Sequence, residues 1–219
     1  MSQRLTPPPP WAGPTDTPLT LLVWRHPRPD DVAGRCVGRT DAAVDPRRAK
    51  RLARRIQATA RRERLAHVVY TSPLRRGADV GKWLRRWGWA HRVDDALLEA
   101  DFGAWEGQDW SHIRQEEVDA WCADFAHHAP GGGEALSTLV QRASAWQPEG
   151  QAGARNACGA KLAAAPAGQP ERCSALVVGH AGWMLARHWG RGHAADDWPT
   201  AADWPPFPGT PGYGQCWRL

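Results

Sequence analysis

The sequence is short of cysteine and lysine and has no long apolar run, and each shortage removes a class of protein. The five cysteines (Cys36, Cys122, Cys158, Cys173 and Cys216) are odd in number and show no CxxC spacing. That argues against a disulfide framework and a zinc ribbon, and it points to reduced thiols in a cytoplasmic protein. No stretch approaches the ~18 apolar residues of a membrane span, so no membrane association is expected. The segment from Met1 to Trp11 is polar, contains four consecutive prolines and lacks the apolar centre of a secretory signal. Residues 1–18 therefore read as a flexible leader. No HxxxH or HxH spacing occurs among the nine histidines, so no metal site is expected. There is no internal repeat.

What is present is arginine and tryptophan. The net charge of +5 rests on arginine, because only Lys50, Lys82 and Lys161 are lysines. Arginine suits bidentate recognition of phosphate. Arg47, Arg51, Arg54, Arg55, Arg61 and Arg62 fall on one face of a predicted helix. A solvated face is the preferred account of that run, so no nucleic-acid partner is expected. The 14 tryptophans suit core and pocket walls. A 219-residue chain with 42% hydrophobic residues is long enough for one large domain with a substantial core.

Two apolar runs each deliver a histidine. Leu19 to Trp24 leads into Arg25-His26-Pro27, and Ala175 to Val178 leads into Gly179-His180-Ala181-Gly182. Short Val- and Leu-rich runs bounded by Gly or Pro read as buried strands of a parallel sheet. The carboxyl ends of such strands form a binding crevice. His67 to Thr71 is a further predicted strand. Asp45-Pro46 and Ser72-Pro73 each read as a helix cap followed by proline. Helices are also predicted over Ile113 to Phe125, from Gly131 through Trp146, and over Trp183 to Trp189. This alternation predicts an α/β fold, a three-layer α/β/α sandwich with a mostly parallel central sheet. Residues 19–193 form the domain, with a lid near 102–133 and a mobile connection near 148–171. The tail from Ala194 to Leu219, dense in Trp, Pro and Gly, is expected to pack on the same domain without regular structure.

Three segments now line up as strand-end or helix-start motifs: Arg25-His26, Ser72-Pro73-Leu74-Arg75-Arg76 and Gly179-His180. A fourth, Leu97-Leu98-Glu99-Ala100-Asp101-Phe102-Gly103-Ala104-Trp105-Glu106-Gly107, supplies carboxylates, and a Pro-Gly-Gly segment runs to Glu134. In this order they resemble the histidine phosphatase superfamily, the phosphoglycerate mutase-like group, over about Leu19 to Trp189. Arg-His-Pro followed by Gly38-Arg39-Thr40-Asp41 looks most like its α-ribazole phosphatase branch, in cobalamin synthesis. The resemblance implies a phosphatase with no cofactor, working as monomer or homodimer on a phosphorylated small molecule.

It further implies that His26 is the nucleophile, that Arg25, Arg76 and His180 bind the phosphoryl oxygens, and that Glu99 is the proton donor. Arg39, Thr40, Trp105 and Ala181 would contact substrate, and Trp110 would join the pocket wall. Glu106 and Asp101 compete with Glu99 as the acid, but Glu106 is expected to fix the loop and Asp101 to serve a turn or cap. The usual glycine after the catalytic histidine is Pro27, which removes a backbone N–H.

The chemistry is consistent with that pattern. Phosphoryl transfer depends on positioning and on stabilising charge around the transferring group. Two guanidiniums and an imidazole supply such charge, and a covalent phosphohistidine divides one hard displacement into two. Histidine titrates near 6.5, and neighbouring arginines push that value down and favour the unprotonated nucleophile. A mutase would use the same residues, and a silent phospho-ligand-binding module would keep them without turnover.

Overall fold

The computed structural model describes residues 19–148, 174–205 and 208–219; the expected leader (1–18) and residues 149–171 of the expected connection lie outside them. The described chain forms β1 (Thr20–Arg25), α1 (Pro46–Glu63), β2 (Val68–Thr71), α2 (Arg75–Arg86), β3 (Ala90–Val93), α3 (Gln115–Ala123), α4 (Leu136–Ala145), β4 (Ser174–Gly179), α5 (Ala181–Gly192) and β5 (Cys216–Arg218). The strands make one sheet in the order β3-β2-β4-β1-β5, parallel except for β5. This is the expected α/β fold.

Both faces of the sheet are buried, which explains why β1 and β4 read as continuous apolar runs. Leu21, Val23, Ala175 and Val177 pack with Leu139, Val140, Trp146, Trp183 and Met184 of α4, α5 and their flanks. Leu22, Trp24, Leu176 and Val178 pack on the other face with Leu52, Ile56, Val80 and Leu84 of α1 and α2. Alternate residues of one strand thus serve two cores. Arg187 of α5 ties the first core together by donating to the carbonyls of Ala143, Ser144 and Trp146 at the end of α4.

Asp45 caps α1 as expected, its Oδ1 accepting from Arg47 N at 2.7 Å. The other expected cap is different. Helix α2 starts at Arg75 after Leu74, with no cap from Ser72; instead Asp41 Oδ1 accepts from Arg75 N at 2.6 Å. Ser72 is left free for another task. The helix expected from Gly131 through Trp146 is a 3-10 turn at Pro130–Gly132 followed by α4.

The tail is not wholly irregular. Its last residues form β5, antiparallel to β1, with Trp217 opposite Val23. A three-residue strand on the sheet edge is too short to carry an alternation signal, and its pairing is set by the free edge of β1. Strand β3 is similarly silent, since Ala90-His91-Arg92-Val93 is partly exposed and holds no apolar run. Residues 102–133 carry a small cluster of their own, in which Trp105 and Ile113 pack on Cys36, flanked by Phe102, Val118 and Trp121. Among the described residues, no helix is long and apolar enough to cross a membrane.

Candidate active site

Strand register brings the two histidines together. Arg25 of β1 stands opposite Gly179 of β4, so His26 and His180 leave adjacent strands side by side. Their ring centroids are 5.0 Å apart, and His26 N donates to Gly179 O at 3.0 Å. On the other side of β4, Thr71 of β2 stands opposite Val178. Ser72, one residue on, therefore reaches His180, with Oγ and Nε2 2.7 Å apart.

The hydrogen bonds decide both tautomers. His26 Nδ1 lies 2.7 Å from Pro27 O; a carbonyl only accepts, so Nδ1 carries the proton and Nε2 keeps its lone pair. Proline retains the carbonyl this orientation requires, so Pro27 is compatible with this placement of the ring despite its missing N–H. Arg76 Nε donates to His180 Nδ1 at 3.2 Å, which puts the His180 proton on Nε2, facing Ser72.

Arg76 is fully buried. Its Nη1 donates to Thr40 O at 2.6 Å, and its Nη2 donates to Gly38 O. Three of its five N–H groups are thereby committed and two are not. Arg25 donates from Nη1 to Pro211 O at 2.7 Å, while its Nε is buried without a partner among the described residues. Arg76 and Arg25 both lie close enough to His26 to bear on its charge, and their uncommitted donors could hold an anion there.

Glu99 stands at the amino end of α5. Its Oε2 accepts from Gly182 N at 3.0 Å, and its Oε1 accepts from Trp183 N at 3.0 Å. A Cβ at position 182 would come within 2.4 Å of Oε1, so any other residue there would push the carboxyl group off these two N–H groups. Arg142 holds the chain leading to it, donating to Ala96 O at 3.0 Å, Leu98 O at 2.7 Å and Glu99 O at 3.2 Å. Glu134, at the end of the Pro-Gly-Gly segment, accepts from the same guanidinium at 2.8 and 2.7 Å.

Glu106 fixes the loop before Arg76. It accepts from Gly38 N at 3.1 Å, Arg39 N at 2.6 Å, Thr40 N at 2.9 Å and Phe102 N at 3.1 Å, and from the Thr40 hydroxyl. Burial raises its pKa, but the Thr40 hydroxyl and the surrounding N–H groups outweigh that and hold it below the ordinary carboxylate value. Asp101 serves its turn by accepting from Gly103 N at 2.8 Å.

The expected substrate contacts are arranged less simply. The Thr40 hydroxyl is committed to Glu106. Arg39 sits 3.4 Å from Asp101 and 3.4 Å from Glu134. Ala181 opens α5 between the two site glycines. Trp105 is 3% exposed and stacks edge-on with Trp110 and Trp121; it forms the core of its segment rather than an open wall. Two cavities of about 540 and 620 Å³ lie elsewhere, and neither is lined by His26 or His180.

Burial is the main cause that lowers both histidines well below their ordinary value, with Arg76 next in each case. The folded chain thus refuses protons that the unfolded chain binds below about pH 6.5. Stability from these two rings is fully present above that value and falls as the solution is acidified through it. Stability is therefore expected to fall as the pH is lowered from 7.5 through 6.5 to 5.5. Urea unfolding at pH 7.5, 6.5 and 5.5 measures this. A flat profile would show that the rings protonate in place.

Three contributors carry no sequence signal of their own. Ser72 reads as a cap, Arg142 as an ordinary helix arginine, and Tyr213 lies in the tail. Tyr213 is packed against the site: its ring is 5.6 Å from the His26 ring, and the Arg25 guanidinium lies 3.9 Å over its centroid.

Comparison with known proteins gives the family and the fold. Bifunctional protein Rv2228c of Mycobacterium tuberculosis (strain ATCC 25618 / H37Rv) is 31% identical over 139 residues, which are 61% of this chain and 38% of that protein. An uncharacterized protein of Mycobacterium bovis, Mb2253c, matches to the same extent. The chain spans about two fifths of the length of these curated relatives. Among solved structures, mycobacterial glucosyl-3-phosphoglycerate phosphatase Rv2419c complexed with VO3 superposes with a TM-score of 0.62 at 25% identity, covering 91% of this chain and 92% of that one. Bacillus stearothermophilus YhfR shares the fold, with a TM-score of 0.61 at 20% identity over 91% of this chain and 89% of its own. The family described as histidine phosphatase superfamily (branch 1) matches residues 21–198, well over half of the sequence, and the chain belongs to that superfamily.

Proposed function

We propose that this chain is a metal-independent phosphomonoesterase that hydrolyses a phosphorylated small metabolite through a phosphohistidine at His26. The observation that carries this is the orientation of the His26 ring. Nδ1 is tied to Pro27 O, and Nε2 is left as a nucleophile beside two arginines.

In the first step Nε2 attacks phosphorus and the bond to the leaving alkoxide breaks, while Glu99 delivers a proton to that oxygen. In the second step the Glu99 carboxylate takes a proton from water, the water oxygen attacks phosphorus, and the P–N bond breaks. Inorganic phosphate leaves, His26 is regenerated, and Glu99 regains its proton. Charge on the equatorial oxygens is met by the free Nε–H of Arg25 and the two uncommitted N–H groups of Arg76. His180 accepts from Arg76 through Nδ1 and is itself fixed to Ser72 through Nε2, so it positions Arg76 beside His26. Since two fixed guanidiniums supply the positive charge, turnover is expected in the presence of a chelator.

A phosphorylated metabolite as substrate is supported by the likeness to the glucosyl-3-phosphoglycerate phosphatase structure. α-Ribazole phosphate is a narrower proposal, resting on Arg25-His26-Pro27 and Gly38-Arg39-Thr40-Asp41 alone. The test is rapid quenching of turnover with a 32P-labelled monoester in a chelating buffer. Label that is acid-labile, alkali-stable and located on His26, with one inorganic phosphate released per ester cleaved, is the expected result. Turnover without such label would mean direct attack by water and would overturn the mechanism.

A further inference from the structure

Tyr213 is an unusual surface residue. It keeps 43% of its surface exposed although it sits in a loop pinned by hydrogen bonds. Gly214 N donates to Arg25 O at 3.0 Å and Arg25 N donates to Gln215 O at 2.9 Å, so the loop continues the pairing of β5 with β1. Gln215 closes it locally, its Oε1 accepting from Gly212 N at 2.7 Å and its N donating to Gly212 O at 2.9 Å. The Arg25 side chain adds the bond to Pro211 O at 2.7 Å. A tail that merely wrapped the surface would not need an aromatic ring held this firmly in the open.

The ring's surroundings indicate its use. One face carries the Arg25 guanidinium at 3.9 Å, and the His26 ring is 5.6 Å away at a tilt of 53°. Even so, 43% of the residue's surface stays exposed beside the nucleophile. A phosphoryl group on His26 Nε2 would be met by Arg25 and Arg76, and the organic part of the ester would extend outward past the nearest exposed surface. Of the two tryptophans expected at the pocket wall, Trp105 is turned inward and Trp110 is 42% exposed.

We infer that Tyr213 is a specificity-determining residue whose open face stacks on the organic part of the substrate, so that the site prefers phosphomonoesters bearing an aromatic or sugar ring over ring-free ones. This rests on the phosphatase reading of the same site and deepens it by naming the substrate class. Tyr213 also supports Arg25 from below, and that second role acts on every substrate alike.

The experiment separates the two roles. Steady-state kinetics of the wild type, Tyr213→Phe and Tyr213→Ala are compared on p-nitrophenyl phosphate and on ring-free glycerol 3-phosphate, with inorganic phosphate as a competitive inhibitor. Tyr213→Ala is expected to raise KM about tenfold for the aryl ester, the usual scale of one stacking contact. Its KM for glycerol 3-phosphate and its inhibition by phosphate should share only the smaller loss that comes from weaker support of Arg25, so the aryl ester loses clearly more than either. Tyr213→Phe, which keeps the ring, should restore the aryl KM. Equal losses on both esters would overturn the inference and leave Tyr213 only as a support for Arg25. If Tyr213→Phe behaved like Tyr213→Ala, the hydroxyl would be the active part, and stacking would again be overturned. Failure of the phosphatase reading looks different: the wild type would then turn over neither ester.

Discussion

Replacing His26 by alanine is expected to lower kcat/KM on an aryl phosphate by about 10⁴- to 10⁶-fold, the scale seen when a catalytic nucleophile is removed. No other described group is placed to substitute. Both nitrogens of His180 are engaged, one by Arg76 and the other by Ser72. The fold should survive. The His26 side chain makes its hydrogen bond to the adjacent Pro27 carbonyl, while its backbone N–H keeps Gly179 O. Alanine also removes an imidazole whose burial disfavours the protonated form that the unfolded chain adopts below about pH 6.5. Thermal melting at pH 6 should therefore show little loss. Inorganic phosphate should still bind, because Arg25 and Arg76 are untouched. A variant that is folded, binds phosphate and lacks turnover is the expected outcome. Full activity in His26→Ala would sink the phosphohistidine mechanism, and a wild type that binds phosphate without turning over any ester would favour a silent binding module.

The residues at the centre of the site were legible because each sits where a local pattern ends. His26 and His180 follow apolar runs, Arg76 lies in the first turn of a helix that follows Ser-Pro-Leu, and Glu99 precedes Phe-Gly-Ala-Trp-Glu. Glu106 was also readable as a loop-fixing residue, and its partners are the backbone groups of the Gly-Arg-Thr loop. What could not be read depends on which strands lie side by side. Ser72 looks like a cap until β2 is placed next to β4, where its hydroxyl meets His180. Tyr213 has no pattern at all; it reaches His26 because β5 adds to the free edge of β1, and nothing in a three-residue strand announces its partner. Trp105 erred in the other direction. An aromatic inside a recognised motif suggests a pocket wall, yet burial against Cys36 and Ile113 gives it a packing role.

Glu106→Ala is expected to cost about 2–4 kcal/mol of stability and about 10²-fold in kcat/KM, although Glu106 touches neither His26 nor His180 in this structure. The loss of stability comes from four backbone N–H groups and one hydroxyl that share a single carboxylate; each donor left without an acceptor costs on the order of 1 kcal/mol where water cannot replace it. The loss of activity follows from the geometry of the same peptides. Residues 38 and 40 turn their N–H groups to Glu106 and their carbonyls to Arg76, so the loop is clamped between an anion and a cation. Gly38 is required in that clamp, since a Cβ there would fall 2.0 Å from Ala100 O and 2.6 Å from Glu106 Oε1. Without the carboxylate the loop can move, and Arg76 moves with it; small misplacements of a charged catalytic group cost about this much in rate. Glu106→Gln should fall between the wild type and alanine, because the amide keeps one acceptor but turns an NH2 group toward backbone donors. Thermal melts and kcat/KM for the three proteins check the prediction together. If Glu106→Ala lost stability but kept full activity, Arg76 would be held by His180 Nδ1 alone, and the clamp would be a folding device with no part in positioning the phosphate.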